Sequence, residues 1–312
     1  MRYSFRVMLV HTDDVEETER HFGHVRALRR MLGAAAGARQ AGLSQWRIAD
    51  GDVCAPQHVH ADEEELFFVV SGAGHVLHGR SAHPVAAGDV FAFPAAGKPH
   101  TVLGGPIEVL AFGSGATSGL TWVTRSNTMW ARPRWLPLDG DQPFAAEAAL
   151  GPLRLADYTL VDERPEWIVA LADVPGRETR RGATDVVRAD LGRAVGTRLS
   201  GLKHVAIAPN AESHPPHCHS AEEELFVVLD GTGDLLLGDE TLPVRRGHVL
   251  ARPAGTGVAH SWRAGAQGLT LLAYGQRKPD DICFYPRSGK IAIRGLRATF
   301  RVQQADYWDG EE

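Results

Sequence analysis

One stretch of the chain occurs twice: it reads HVHADEEELFFVVSG at residues 58–72 and returns as HCHSAEEELFVVLDG at residues 217–231. The two copies are offset by 159 residues and align without a gap over 42–95 and 201–254. At 24 of these 54 paired positions the residue is identical. The period is far longer than the roughly 20–50 residues of a solenoid repeat. The sequence therefore predicts two similar domains in tandem, produced by duplication.

Each copy has the sequence pattern of a β-domain. Short runs rich in β-branched and aromatic residues, such as Leu66–Val70 and Leu225–Leu229, are followed closely by glycine. Turn residues separate such runs at roughly ten-residue intervals, which is typical of all-β sandwiches and barrels rather than of alternating strands and helices. We therefore predict an all-β fold with a few short helices.

The repeat also indicates the domain limits. We assign residues 1–150 to a first domain with its core at 42–113. We assign residues 151–312 to a second domain with its core at 201–275.

Two terminal segments lie outside these cores. Asp13–Leu32 has a Thr/Asp start, early glutamates and apolar residues at spacings of three, four or seven, which predicts an N-terminal helix. Ile291–Trp308 alternates apolar and polar residues, which predicts a C-terminal strand extension. We expect this extension to pair with the opposite domain or with a partner subunit, because open sheet edges need cover.

The composition narrows the class of protein. The chain has 33 basic and 38 acidic side chains, so it lacks the basic excess that nucleic-acid binding needs. The apolar run Val7–Val10 is too short for a signal peptide or a membrane span, and three cysteines predict no disulfide framework. We therefore expect a cytoplasmic protein with a small-molecule partner and with neither nucleic acid nor membrane as partner. Histidine is the outlier, with 15 in 312 residues.

Six of the histidines fall into two matched sets. Alternate residues of a strand point to one face, so the two histidines of each HxH project together. In each copy a glutamate follows after four residues, and a third histidine follows a later Gly…Pro segment. Three imidazoles and one carboxylate can hold a divalent ion and leave two of its six coordination positions free. The two candidate sets are His58, His60, Glu65 and His100 in the first copy, and His217, His219, Glu224 and His260 in the second.

The pattern HxH-x4-E-x6-G, followed by G-x5-P and a later histidine, resembles the motifs of the cupin superfamily, and two copies in one chain resemble a bicupin. The resemblance implies one jelly-roll barrel, or double-stranded β-helix, per copy, with a metal near the barrel axis. It implies the two sets above as ligands of one divalent transition metal per domain. Fe(II) or Mn(II) is favoured, and Zn, Ni and Cu stay open as alternatives. The resemblance also leads us to expect a homodimer. One departure is an extra residue before His260.

Three aromatic residues are candidates for the pocket walls. By strand parity, Phe67 and Phe226 share a face with the ligand glutamates, and Trp262 lies two residues after the last ligand histidine. Plain core packing explains each of them equally well.

Three further residues are candidates for catalysis. Arg252 or Arg47 could bind a substrate carboxylate, with an arginine on the solvent face as the rival interpretation. His214 lies close to the second HxH and could orient a ligand or transfer a proton. The other glutamates of the two EEE triplets are predicted to be solvated turn residues, with a backup ligand role for Glu64 as the alternative: Glu63, Glu64, Glu222 and Glu223.

These observations favour a metal-dependent enzyme that acts on a small oxygen-bearing organic substrate. The resemblance to bicupin enzymes favours a dioxygenase-type oxidoreductase. The alternatives are an oxalate-decarboxylase-like enzyme, an isomerase or epimerase, and a non-catalytic bicupin that binds a metal or a metabolite.

Overall fold

Antiparallel strands make up most of both halves of the chain. The structure, a computed structural model, describes residues 9–115, 118–131, 134–137 and 143–311. The strands of the first half are β1 (Leu9–His11), β2 (Glu17–Phe22), β3 (Val25–Arg30), β4 (Gly42–Ile48), β5 (His58–His60), β6 (Glu65–His78), β7 (Ser81–Ala86), β8 (Asp89–Phe93), β9 (His100–Gly113), β10 (Thr121–Val123), β11 (Thr128–Ala131) and β12 (Arg134–Pro137). The strands of the second half are β13 (Thr159–Leu160), β14 (Ile168–Ala170), β15 (Gly176–Arg181), β16 (Thr184–Asp190), β17 (Ser200–Ile207), β18 (Cys218–His219), β19 (Glu224–Leu237), β20 (Glu240–Arg245), β21 (His248–Arg252), β22 (His260–Gln276), β23 (Ile282–Tyr285), β24 (Lys290–Ile293) and β25 (Ala298–Arg301).

The helices are short. The α-helices are α1 (Leu32–Ala35), α2 (Pro143–Ala149) and α3 (Leu191–Ala194), and 3-10 turns lie at Thr12–Asp14, Leu155–Asp157, Leu171–Asp173 and Pro286–Ser288. Within the described ranges, no helix combines the length and the apolar character needed to cross a bilayer.

Each half closes into a barrel around one pair of long strands. β6 pairs with β9 along its length and also with β7 and β8, and β19 pairs in the same way with β22, β20 and β21. The last glycine of each repeated motif lies where the register of this pair shifts. Gly72 has φ +76°, and a Cβ added there would lie 2.2 Å from the carbonyl oxygen of Pro106. Gly231 repeats the conformation, so glycine is needed at both bulges. The two barrels confirm the all-β prediction.

The repeat in the structure begins earlier than the repeat in the sequence. β1 and β14 are offset by the same 159 residues as the two motifs. β1 pairs with β21 of the second barrel, whereas β13 and β14 pair with β7 and β8 of the first. The second barrel therefore gains one strand from the first half of the chain, and the first barrel gains two from the second half. The chain passes from one barrel to the other after β1 and again after β14, that is, on both sides of residue 150. The domain boundary at residue 150 stays a prediction.

The predicted helix over Asp13–Leu32 is wrong. Most of this segment forms a hairpin of β2 and β3, joined by a two-residue turn that begins at Gly23. Gly23 has φ +57°, a left-handed conformation that suits such a turn and that a helix does not contain. Burial alternates along β3, with Val25 and Ala27 buried and Arg26 exposed. Val25 and Ala27 thus follow the period of two of a strand, and the helical spacing of the apolar residues in this segment is coincidental.

The C-terminal extension pairs within its own half. Ile291–Trp308 contributes to β24 and β25, which join β23 and β18 in one small sheet. The expected pairing with the opposite domain is therefore wrong for these strands. Arg294, which follows β24, forms an ion pair with Glu222. Glu222 is buried, so it is not the solvated turn residue that the sequence predicted.

The two barrels share a hydrophobic interface. Buried residues of both halves form one cluster, in which Phe112 stacks on Tyr274 with ring centres 5.1 Å apart and planes at 16°. Each barrel also has a core cluster of its own. The shared cluster removes apolar surface of both barrels from water, which favours their association.

Two buried carboxylates cross this interface reciprocally. Glu64 of the first copy accepts hydrogen bonds from the backbone of 198–200 and, at 2.6 Å, from the Ser200 hydroxyl. Glu223 of the second copy accepts three backbone N–H groups of 39–41 at 2.6–2.8 Å. We call this pair the carboxylate clamp. The two residues are 3% and 0% exposed, so the prediction of solvated turn residues is wrong for both.

We expect Glu64→Ala to destabilise the protein by about 3 kcal/mol, because it leaves buried N–H groups of the other barrel without acceptors. Urea denaturation measures this loss. Glu163→Ala, at an exposed loop position, is the matched control and is expected to change stability by less than about 0.5 kcal/mol. Equal stability of the two variants would contradict the role of the clamp.

Candidate metal centres

The first centre forms where three strands begin or run close together. His58 and His60 lie on β5, and Glu65 and His100 are the first residues of β6 and β9. His58 lies opposite His100 in the β-ladder. The Nε2 atoms of His58, His60 and His100 lie 3.5, 3.4 and 2.9 Å from Oε2 of Glu65. The structure therefore brings together all four residues of the first predicted set.

The outer ring nitrogens fix which atoms face the centre. Nδ1 of His58 lies 2.8 Å from the Pro56 carbonyl oxygen, and Nδ1 of His100 lies 3.1 Å from that of Lys98. A carbonyl oxygen only accepts, so Nδ1 carries the hydrogen and Nε2 presents its lone pair to the centre. Burial lowers the pKa of His100 to about 4, which favours its neutral form. Lone pairs and a carboxylate that converge in this way suit a cation.

The carboxylate of Glu65 is ionised in this setting. Burial alone would raise its pKa, but the neighbouring imidazoles, chiefly the charge of His60, outweigh burial and lower the pKa of Glu65 well below its usual value. In the same pair, burial opposes the charge on His60, whereas Glu65 raises the pKa of His60 to about 8. The centre therefore keeps a negative ligand atom at neutral pH.

The second centre repeats this arrangement more loosely. Nε2 of His219 and His260 lie 3.5 and 3.2 Å from Oε2 of Glu224, and the backbone of His217 pairs with that of His260. The extra residue before His260 is thus accommodated in the preceding loop, 253–259. These two Nε2 atoms and Oε2 are buried and lack a hydrogen-bond partner within the described structure. Imidazole nitrogens and a carboxylate oxygen that are buried without a hydrogen-bond partner are suitable ligands for a divalent transition metal.

Asp281 orients His219 of the second centre. It lies outside the repeated motif, so the sequence did not predict it. Its Oδ2 accepts a hydrogen bond from Nδ1 of His219 at 2.7 Å, and its Oδ1 accepts the backbone N–H groups of Ala221 and Glu222. Burial opposes its ionisation, but the bond from His219 lowers the pKa of Asp281 below its usual value. The corresponding imidazole of the first centre, His60, instead contacts the Thr121 hydroxyl at 2.9 Å. A carboxylate partner makes an imidazole a more basic ligand.

The two centres differ in access. The first opens onto a cavity of about 500 Å³, whose walls include Trp46, Phe67 and Phe144. The space beside Glu224 and His260 of the second has no volume for a water molecule. Three larger clefts, of about 550, 680 and 1060 Å³, contain none of the eight predicted ligands.

The predicted pocket residues separate accordingly. Phe67 lines the first cavity and stacks on Phe91 with ring centres 5.0 Å apart. Phe226 and Trp262 are buried in the core of the second barrel, where the Phe226 ring lies 5.3 Å from that of His260.

The catalytic candidates also lie in different places. The ring of His214 is 4.6 Å from that of His217, beside the second centre, and burial lowers its pKa well below the usual value. Arg252 is buried in the wall of that centre, where its Nη2 donates to the Thr256 hydroxyl. Arg47 pairs with Glu17 and does not line the cavity of the first centre, so its catalytic role stays a prediction.

The matched wall of the first centre is aromatic. Phe93 occupies the position that Arg252 has in the second copy, opposite the ligand glutamate in the ladder. Its ring stacks on His100 with centres 3.8 Å apart and planes at 15°, which holds the imidazole in place.

Both halves of the chain match the family model of the Cupin domain, over residues 44–111 and 203–272. The chain is a bicupin. A search of the curated proteins found no match.

Two of the solved structures that match this chain share the fold of this bicupin. The oxalate decarboxylase of Lactobacillus farciminis, in a formate complex, is 17% identical over 91% of this chain and 89% of that chain, with a TM-score of 0.59. A variant of the Bacillus subtilis oxalate decarboxylase is 17% identical over 88% of this chain and 78% of that chain, with a TM-score of 0.57. A protein described as a sugar phosphate isomerase, from Acidithiobacillus ferrooxidans, is 29% identical over 43% of this chain and 93% of that chain, with a TM-score of 0.39.

We expect Asp281→Asn to weaken metal retention at the second centre roughly 10- to 100-fold, because His219 loses its anionic partner. Titration of metal-loaded protein with a chelator measures the two affinities. Thr121→Val is the matched variant for the first centre, and it is expected to change the first affinity and leave the second intact. Equal losses at both centres in either variant would contradict the pairing of each orienting residue with one site.

Proposed function

We propose that this bicupin is a metal-dependent enzyme and that its reaction takes place at the first centre on a small oxygen-bearing organic substrate. The observation that supports the proposal is the space beside the ligands. The first set lines a cavity of about 500 Å³, within the range of ligand sites, whereas the space beside Glu224 and His260 of the second is too small for a water molecule.

The chain's own residues would hold a divalent ion at each centre. His58, His60, Glu65 and His100 supply four ligands at the first, and Fe(II) or Mn(II) is the ion we favour. Such an ion supplies two open coordination positions, polarises a bound substrate oxygen and activates dioxygen. The Phe93 ring and the carbonyl contacts keep the imidazoles oriented. We assign a structural role to the ion that the second set, His217, His219, Glu224 and His260, would hold.

A dioxygenase-type oxidation is the reaction that the cavity favours. Its described carboxylates are Glu63 and Glu65. Glu65 is a proposed ligand, and Glu63 accepts the backbone N–H of Gly115 at 3.3 Å. This wall therefore offers few groups for the general acid–base catalysis that an isomerase needs. An oxygenase depends less on such groups, because a bound metal would activate the dioxygen. The cavity is also much larger than a two-carbon diacid such as oxalate.

Oxygen uptake by the metal-loaded protein tests the reaction class. We expect consumption of dioxygen with at least one member of a panel of phenols, β-diketones and small carboxylic acids. Uptake that is absent with every substrate would contradict the dioxygenase proposal. Release of formate and carbon dioxide from oxalate, or isomerisation without uptake, would assign one of the alternative activities.

We expect His58→Ala and His217→Ala each to remove one metal equivalent, because each ion has its own ligand set. Elemental analysis of the purified variants measures the stoichiometry. His58→Ala is expected to abolish activity, whereas His217→Ala is expected to retain most of it. Loss of both equivalents from either substitution would contradict independent centres, and loss of activity in His217→Ala alone would place the reaction at the second centre.

A further inference from the structure

We propose that the cavity of the first barrel binds an organic carboxylate, with Arg20 and Arg29 holding the carboxylate group and the aromatic wall holding a flat apolar body. This inference rests on the proposed function, because it names the substrate class of the same site. Neither arginine was a candidate in the sequence, where both fall in the segment predicted as a helix.

The hairpin of β2 and β3 places both arginines on the inner face. Arg20 lies opposite Ala27, and Arg29 follows Ala27 by two residues, so the three side chains share one side of the sheet. Arg29 also lies opposite Trp46 in the ladder between β3 and β4. Both arginines line the cavity that contains His58, His60 and Glu65.

The inner arginines differ from their neighbours in their partners. The three other arginines of these strands form ion pairs with Glu17 or Glu19: Arg26, Arg30 and Arg47. Within the described part of the chain, no carboxylate lies within 4.0 Å of the guanidinium of Arg20 or Arg29, so no ion pair neutralises either one. Their hydrogen bonds go to neutral oxygens, the Cys54 carbonyl for Arg20 and the Ser44 hydroxyl for Arg29. A guanidinium has five N–H donors, so both keep donors for a ligand.

The charges in the cavity favour an anion. Burial, and then the charge of Arg20, lower the pKa of Arg29 to about 10, which shows that the two cations act on each other in a partly buried place. A divalent ion at the first centre would add two positive charges to those of the two arginines, whereas the carboxylates of Glu63 and Glu65 in the same wall carry two negative charges. A ligand carboxylate would meet a net positive cavity and could accept bidentate hydrogen bonds there.

An aromatic platform fixes the guanidinium groups. The Cζ atoms of Arg20 and Arg29 lie 4.7 and 4.8 Å from the ring centre of Trp46, and Cζ of Arg20 lies 5.5 Å from that of Phe144. Stacking of this kind orients a planar guanidinium and reduces the entropy lost on binding. Phe67 and Trp130 complete an apolar wall that suits a flat ligand body.

The second copy lacks this arrangement. The positions offset by 159 residues from Arg20 and Trp46 hold Thr179 and Val205. Arg29 has a counterpart, Arg188, whose guanidinium donates to the carbonyl of Ser213. The fold therefore does not require the pair of stacked arginines, which occurs where the cavity is open.

Calorimetric titration with matched acids and amides tests the inference. The probes are benzoate, salicylate and phenylacetate, each against its neutral amide, on metal-loaded full-length protein. We expect at least one acid to bind at least tenfold more tightly than its amide. Binding of no acid more tightly than its amide, or tighter binding of inorganic phosphate than of every acid, would overturn the inference.

Variants assign the effect to the two arginines. Arg20→Gln and Arg29→Gln are each expected to weaken the acid about tenfold or more and to leave the amide unchanged, as expected for a lost charge-assisted hydrogen bond. Arg26→Gln, on the outer face, is the control and is expected to bind like the native protein. Acid binding that survives in both inner variants would overturn the inference. If an inner variant does not fold, two other measurements decide the question. One is the ratio of acid affinity to amide affinity in the native protein, and the other is the acid affinity of Arg29→Lys, which is expected to be weaker than native but not lost.

The outcome separates the inference from the proposed function. Acid binding that depends on Arg20 and Arg29, without oxygen uptake, would support the inference and contradict the dioxygenase proposal. Oxygen uptake that is equal in the native protein and in both inner variants would support the enzyme and overturn the inference.

Discussion

The carboxylate clamp is the constraint on which the two centres depend. Glu64 and Glu223 each lie one residue before a proposed metal ligand, Glu65 or Glu224, and each is held by backbone N–H groups of the other barrel. Successive residues of an extended chain point to opposite sides, so a glutamate fixed outward in the interface turns its neighbour inward to the barrel axis. Association of the barrels and placement of the ligand carboxylates are therefore one structural event.

The two centres have matched sets of predicted ligands but different surroundings. The second has a carboxylate partner for His219, a buried Arg252 in its wall and a space beside Glu224 and His260 that is too small for a water molecule. The first has Phe93 against His100 and an open aromatic cavity. The second centre therefore suits tight retention of an ion, and the first suits exchange of ligands at an ion that the fold holds in place.

The sequence predicts the fold class and the residues that meet at the two centres, because both depend on local patterns. Their role as metal ligands stays a prediction. Strand parity places each HxH on one face, and the duplication repeats the set in register. The sequence does not predict the hairpin of β2 and β3, because β2 contains one apolar residue, Phe22, and the apolar residues of the whole segment recur at helical spacings. Arg20 and Arg29 are missed with it. Glu64 was misjudged because its partners lie more than 130 residues away in the chain. Asp281 was missed for the same reason, since it reaches His219 only through the pairing of β18 with β23.

We propose that this bicupin holds two metal ions in matched centres and that the first of them is accessible to substrate. The decisive test is anomalous diffraction from crystals of the protein, grown without chelator and recorded at the absorption edges of iron and manganese. We expect two anomalous peaks in each chain, one among His58, His60, Glu65 and His100 and one among His217, His219, Glu224 and His260. Absence of a peak at the first centre, in protein supplied with both metals, would refute the proposal.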